Sequence, residues 1–539
     1  MDQQRLLEAL LEPVAYPHPV ATVDHVETHI SHVLLAGAYA YKLKKPVDLG
    51  FVDFSTLERR RFCCHEELRL NRRLAPQLYI EVVTITALNG RVRIGGDGEV
   101  IDYAVRMRRF PQQALLSHCQ LDGAIIDRLA DRIAAFHASL PAGAPDTPYG
   151  SQTAVLAPML ENFAVIRRAA IASEVRAAAD RLERWTRAQA EALRGLMTER
   201  RRAGFIRECH GDMHRGNIVL LDGEPVIFDC IEFNPRLRCI DTMSELAFLT
   251  MDLTGAGEVE LARRALNRYM ERTGDYAGLG VLRFYQVYRA MVRAKVLGIR
   301  LSQEDTSDDE RAALRTGFRR YLRLARLGSA RPRPRLFITH GMSGSGKTWL
   351  GNALREHLPV IQVRSDIERK RLFGLLPEAR PDAALAEALY GADATRRTYG
   401  RLLDLARLII GSGYSVLVDA TFLKRDQRRA FLDLARALDR PCTILALDAP
   451  VDVLRRRLRE RGHAGHDASD ADAGILALQL AAREPLTPDE DALALHLNTE
   501  LPLHIAALLG RLVEEPRGVG FGGCAGARRS GDGQGGATT

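Results

Sequence analysis

The stretch RECHGDMHRGNIVLLDGEPVIFDCIEF, residues 207–233, decides how the first half of this chain is read. It sets a carboxylate, Asp212, five residues before an amide, Asn217, and then runs through an apolar segment and an Asp-Gly pair to Asp229. Asp-Gly between two apolar runs is a strong hairpin signal, because a type I′ turn needs φ > 0 at both central residues. The hairpin brings Asp229 back beside the loop, so that three oxygen-bearing side chains converge. Transfer of a phosphoryl group from a nucleotide asks for such a set. It needs a carboxylate to orient the acceptor hydroxyl, oxygen ligands for magnesium, and a cation on the phosphates. Asp212 is expected to orient a hydroxyl, and Asn217 and Asp229 to hold the metal. The same residues could instead form a capped turn with purely local hydrogen bonds.

Upstream, residues 25–47 alternate like strands and turn at Gly37, a helix follows from Ser55 as a plausible N-cap, and more strands come at 79–90 and 100–110. From 122 to about 200, and again from 241 to about 327, the text is helical. A small β-rich lobe thus precedes a larger helical one. With these elements in place, HGDMHRGN, the hairpin and Asp229 resemble the catalytic and metal loops of the aminoglycoside phosphotransferase and choline kinase-like branch of the protein-kinase fold, over roughly residues 20–325. The resemblance implies ATP as phosphoryl donor, an Ala-x-Lys strand under the nucleotide and a glutamate on the next helix. Ala40 and Lys42 share a strand face, which favours Lys42, with Lys44 on the same face as the runner-up. Glu67 is the expected partner, with Glu66 nearly as good. The sequence departs from the wider fold in having no GxGxxG loop before Lys42. THISH (28–32) stands there, and His29 and His32 are either phosphate cover or ordinary strand residues. Asp241 reads as a helix cap more than a catalyst.

A second phosphate motif, GMSGSGKT, occupies 341–348 between the strand-like RLFITH and a helix. That context makes it a P-loop: Gly341, Ser343, Gly344, Ser345 and Gly346 offer backbone N–H groups to phosphate, Lys347 reaches the β- and γ-phosphates, and Thr348 ligates magnesium. Asp366 follows the next strand, across from the P-loop, and is the candidate base for an acceptor hydroxyl. Arg369, three residues on, faces the same way. This half, about 335–510, resembles the small P-loop kinases, including polynucleotide 5′-kinases and zeta-toxin-like kinases. The resemblance implies a Walker-B-like role for Asp419 at the magnesium shell. It also implies an arginine-bearing lid in LRRRLRERG (454–462), with Arg455 and Arg461 as candidates. The run also fits a solvated basic face.

The chain has 539 residues, 46% hydrophobic and 27% charged, which suits a soluble protein of two to four domains. Its formal charge of +8 fits phosphorylated ligands, and nucleic acid is possible but not indicated. Eight scattered cysteines with no CxxC suggest reduced thiols, no structural zinc and a cytoplasmic location. No apolar run suggests a membrane span. The expected organisation is a kinase-like domain at 1–328 (small lobe about 20–110, helical lobe about 111–328), a linker at 329–335, a P-loop kinase domain at 336–515 and a disordered Gly-rich tail at 516–539. The fold class is an α+β bilobal protein-kinase-like domain followed by an α/β P-loop domain with a parallel sheet. The joint order resembles a bacterial group of two-part predicted kinases. Each half carries its own core signals, so cleavage near Ser329 is expected to leave two soluble, cooperatively folding pieces. The expected activity is phosphorylation of hydroxyl groups at two ATP–Mg2+ sites. In the competing reading one half is a non-catalytic sensor or simple ATPase. Neither the acceptors nor the oligomeric state can be read from the sequence.

Overall fold

Residues 23–44 fold as three antiparallel strands, β1 (Val23–Glu27), β2 (Ser31–Ala36) and β3 (Tyr39–Lys44). There are therefore two turns where the alternation suggested one. The additional turn is closed by Thr28, whose N–H donates to Ser31 O and whose Oγ1 accepts from Ser31 N–H, both at 2.9 Å. A threonine hydroxyl standing in for a peptide group leaves no glycine to mark the bend. β4 (Tyr79–Leu88), β5 (Arg91–Ile94) and β6 (Glu99–Arg108) complete a six-stranded sheet in the order β1-β2-β3-β6-β4-β5. Its outer face packs Leu34, Ala36, Tyr41 and Leu43 against Leu6 and Leu10 of the helix Gln3–Leu11. Its inner face packs Ala40, Val105 and Met107 towards Cys64 of the helix Leu57–Asn71 and towards Val219 and Val226. Thr56, not Ser55, caps that helix by accepting from Arg59 N–H, because Ser55 is held by Asp53.

The computed structural model describes residues 2–50, 52–144, 146–169, 173–302, 306–379, 382–464 and 473–513. The expected tail at 516–539 lies outside them. In the helical lobe, β7 (Ile206–Glu208), β8 (Ile218–Leu221), β9 (Glu224–Ile227) and β10 (Cys239–Asp241) form two short ladders, β7 with β10 and β8 with β9. The β8–β9 turn has Asp222 at φ 51° and Gly223 at φ 79°, as its Asp-Gly sequence requires. The helix Thr242–Gly255 is buried on nearly every side and forms the lobe's spine. Asp241 caps it, accepting from Met243 N–H at 2.8 Å.

Past residue 335, β11 (Leu336–His340), β12 (Val360–Arg364), β13 (Ser415–Asp419), β14 (Cys442–Asp448) and β15 (Ala494–Asn498) form a wholly parallel sheet in the order β12-β13-β11-β14-β15. The chain is thus an α+β bilobal kinase-like fold followed by an α/β P-loop kinase fold.

The halves share an interface. One apolar core runs from Leu246, Leu279 and Leu282 to Ile361, Leu405 and Ile409. Asn267, on the helix Val259–Thr273, donates Nδ2–H to Val360 O at 3.0 Å and accepts from Gln362 N–H at 2.8 Å. Arg263 donates to His357 O at 2.8 Å. The interface is larger than the short polar linker suggested. Each half does bury a core of its own, but the helices facing the other half are apolar on that side as well.

Candidate functional site

The loop from His210 to Asn217 is held by buried carboxylates on the spine helix. Glu245 Oε1 accepts from the N–H groups of His210 and Gly211, at 2.8 and 2.7 Å, and Asp252 Oδ2 accepts from Arg215 N and Nε, both at 3.1 Å. Gly211 is at φ 90°, and a Cβ there would meet Leu237 O at 2.7 Å, so only glycine fits. His210 is neutral: Nε2–H donates to Phe228 O at 2.8 Å, Nδ1 accepts from Asp212 N–H at 3.3 Å, and burial lowers its pKa. The Asp212 side chain is left partly exposed, at 35%. Burial opposes its ionisation, yet His214 and Arg293 hold its carboxyl below the usual carboxylate range. An anion of that kind is a weak base and a good orienter of a hydroxyl.

Asn217 Nδ2 is spent on Asp212, which leaves Oδ1 as the atom to turn towards a cation. Asp229 stands at the end of the hairpin at φ 64°, a left-handed position uncommon outside glycine, and donates its N–H to Tyr79 Oη at 3.1 Å. Its carboxylate meets Lys42 and remains 40% exposed. An amide oxygen and a half-exposed carboxylate beside a loop aspartate are hard donors and suit magnesium.

Lys42 and Lys44 both reach Glu67. Lys42 Nζ lies 2.8 Å from Glu67 Oε1 and also contacts Asp229, whereas Lys44 is wholly buried between Glu67 and Glu232. Burial works against Glu67, but the two ammonium groups win and bring its pKa down to about 2. Glu66 turns outward to Arg69, at 2.8 Å, and to Arg238. Glu232 was not singled out in the sequence, and no local pattern marks it. His32 lies on the sheet face opposite Lys42, against His25, and so away from the nucleotide side.

In the second half the P-loop folds between β11 and the helix Lys347–His357. Gly341 is at φ 155° with Leu447 O 2.5 Å from where a Cβ would sit, and Gly344 is at φ 85°. Lys347 donates to Met342 O at 2.7 Å. Ser345 Oγ is buried with no hydrogen-bond partner, a polar atom left inside the cradle. Ser343 N–H donates to Gln479 Oε1 at 2.8 Å, and Gln479 Nε2 donates to Ser343 Oγ at 3.0 Å. The loop opens on a cleft of about 560 Å³ whose walls include Thr348, Asp366, Arg369 and Asp419. Arg364 and Asp419 pair at the ends of β12 and β13, which sets Asp366 beside Asp419. Burial raises the pKa of Asp419, while the Thr348 hydroxyl stabilises its charged form. Arg369 is buried, donates Nη1–H to Leu389 O at 2.7 Å, and leaves Nε without a partner.

The basic run expected to form a lid lies on the helix Val451–Ala464. Arg455 is exposed and the cleft wall takes Arg457 instead, which donates to Gly344 O at 3.4 Å and to Thr499 Oγ1 at 3.3 Å. Burial of Val453, Leu454 and Leu458 sets the helix phase and turns Arg455 outward. The Arg461 side chain lies outside the described residues.

A bilobal kinase-like fold joined to a P-loop kinase fold makes this chain a kinase-type phosphotransferase, a nucleotide-binding class that uses ATP, normally with a divalent metal, and a hydroxyl-bearing acceptor. The model of the phosphotransferase enzyme family matches residues 61–285, and that of an AAA domain matches 336–486. The chain belongs to the family of the uncharacterized proteins Rv2004c of Mycobacterium tuberculosis and Mb2027c of Mycobacterium bovis, to each of which it is 32% identical over 471 residues, 86% of this chain and 92% of the relative. Among solved structures, the amicoumacin kinase hAmiN aligns with 60% of this chain and 94% of its own at 14% identity and a TM-score of 0.38. A sugar kinase from Janibacter aligns with 33% of this chain and 92% of its own at 21% identity and a TM-score of 0.25. No helix among the described residues is long and apolar enough to cross a membrane.

Proposed function

We propose that the chain is a bifunctional kinase with two ATP–Mg2+ sites, one within residues 1–328 and one within 336–515, joined by 329–335. What supports the reading is that each half brings together side chains of the kinds that phosphate, metal and hydroxyl groups call for. In the first site Asp212 orients the acceptor hydroxyl, Asn217 and Asp229 hold magnesium, and Lys42, fixed by Glu67, meets the phosphates. In the second, the backbone of Gly341–Gly346 and Lys347 hold the phosphates. Thr348 and Asp419 serve the metal, Asp366 orients the hydroxyl, and Arg369 is aimed at the acceptor side. Arg457 replaces Arg455 at the lid, and Arg461 stays a candidate from the sequence. Magnesium bound at either set would offset charge on the phosphoryl group in transfer. The acceptors are small molecules or nucleotide-type compounds. The unpaired cysteines at the seven described positions support a cytoplasmic location.

A second reading, in which one half senses nucleotide and governs the other, has one observation behind it. Gln362, whose backbone bonds Asn267 of the first half, donates Nε2–H to Asp419 of the second site at 3.2 Å. ATP turnover by the full chain separates the readings. Two working sites predict that Asp212→Asn and Lys347→Ala each remove part of the turnover and only the double variant removes all of it. If either single variant abolishes turnover completely, the sensor reading replaces the two-site one.

A further inference from the structure

The outer face of the small-lobe sheet carries a cluster that the nucleotide chemistry does not use. β1 and β2 pair with Glu27 opposite His32 and His25 opposite Leu34. Directly opposed and alternate residues share a face, so His25, Glu27 and His32 project together. His32 is in turn opposite Leu43, and Leu34 and Leu43 belong to the core beneath the helix Gln3–Leu11. Lys42 and Lys44 point to the other side. His25 Nε2 and His32 Nδ1 lie 3.0 Å apart. With a carboxylate oxygen of Glu27, the three donor atoms all fall within 4.8 Å of one another.

We propose that His25, Glu27 and His32 form a binding site for one divalent metal ion of the zinc class, with three protein ligands and a fourth position open to water. Two imidazole nitrogens and a carboxylate oxygen are a borderline donor set that suits zinc or cobalt better than magnesium. A tetrahedral ion bound at ~2.0–2.1 Å holds its ligand atoms about 3.3 Å apart. The histidine nitrogens need to part by only a few tenths of an ångström to reach that spacing. That contact is a hydrogen bond, so one imidazole proton lies between the two nitrogens; on binding, that ring shifts its proton to the outward nitrogen, which frees both ligand nitrogens with no net release of a proton. His32 is buried at the base of the cluster, between β1 and β3. Glu27 Oε1 is paired with Lys45, at 2.5 Å, and the other carboxylate oxygen is the one offered to the ion. Such an outer partner fixes a ligand rather than removing it.

A second cluster, His137, Cys209 and Glu245, shows the contrast. It is wholly buried. His137 is spent on Tyr269 Oη and Glu245 Oε2, both at 2.8 Å, and Glu245 Oε1 on two backbone N–H groups. That cluster is a satisfied hydrogen-bond network. The His25 cluster is open, with Glu27 exposed and His25 half-buried. Filled, it would tie the edge strand β1 to β2.

The test is titration of the full chain with cobalt(II), followed by displacement with zinc. One equivalent should bind, with weak visible bands and no intense near-ultraviolet sulfur-to-metal absorption, which separates this site from the cysteines. His25→Ala removes no core packing, and Glu27→Gln preserves size. Each should weaken binding by more than about tenfold, while His118→Ala, at an exposed position, should not. Zinc should raise the melting temperature of the wild type but not of His25→Ala. Uptake that is unchanged in both variants, that is sulfur-ligated, or that does not occur would overturn the site.

Discussion

Asn217 donates its side-chain amide to Asp212 twice, to the main-chain oxygen at 3.0 Å and to Oδ2 at 2.9 Å. One residue therefore aims the carboxylate and turns its own oxygen the other way. Asp212→Asn keeps the shape but loses the anion that orients a hydroxyl. In a Lys347→Ala background, which silences the second site, it should lower phosphoryl transfer at least ~100-fold while ATP binding persists. Steady-state turnover and nucleotide titration of the same preparation check this. Near-normal turnover would remove Asp212 from the mechanism.

Lys42 and Lys44 share Glu67 but differ in depth. Lys44 has no exposed surface and is bracketed by Glu67 and Glu232, whereas Lys42 is 12% exposed beside Asp229. Lys44→Met strands Glu232 in the core and should cost about 3–5 kcal/mol in chemical denaturation. Lys42→Met should cost less stability and more nucleotide affinity. The reverse ranking would exchange their roles.

The same network sets a pH dependence. Glu67 falls from its ordinary 4.5 to about 2 in the folded chain. Its contribution is therefore present above pH 4.5 and is lost as the pH falls towards 2. Glu232 works oppositely, since burial raises its pKa and its ionisation costs stability as the pH rises. The stability gap between wild type and Glu67→Gln should narrow steadily from pH 4.5 downward. A gap independent of pH would mean that Glu67 is not ionised against the lysines.

In the P-loop half, Lys347→Ala should weaken ATP binding by on the order of 1–3 kcal/mol, the worth of a charge-assisted contact. Asp366→Ala should leave binding within about twofold and remove transfer. Isothermal titration of both full-length variants, then phosphotransfer once an acceptor is found, decides. If Asp366→Ala loses magnesium–ATP as badly as Lys347→Ala, Asp366 serves the metal rather than the acceptor.

The interface between the halves gives a further expectation. Cleavage at Ser329 uncovers Leu279 and Leu282 on one side and Ile361, Leu405 and Ile409 on the other. Fragments 1–328 and 333–513 should each be less stable than the intact chain, and should recover on mixing. Two monomeric fragments with undiminished cooperative melting would show that the shared core contributes nothing.

What was legible from the residues follows from range. Asp212, Asn217 and Asp229 could be placed because a loop and an Asp-Gly hairpin bring them together within one stretch. The five strands after residue 335 could be read because parallel strands buried on both faces appear as unbroken apolar runs. Lys42 is only narrowly favoured over Lys44 in the sequence, since they share a face and differ in what Glu67 and Glu232 bring from elsewhere. Arg457 does not stand out in LRRRLRERG because helix phase depends on which side packs, and a basic run conceals its phase. Asn267 sits in an ordinary amphipathic helix, and its partner strand is about ninety residues away.

That asparagine has a consequence for solubility. β12 is an edge strand, and Asn267 takes its Val360 oxygen and its Gln362 N–H as the peptide of a neighbouring parallel strand would. The side chain acts as a one-amide stub of a sixth strand. An exposed edge is a template for strand addition between molecules, and here the first half blunts it. A P-loop half produced alone carries that edge bare, and its self-association should proceed strand to strand, through Val360–Arg364, before any apolar patch takes part.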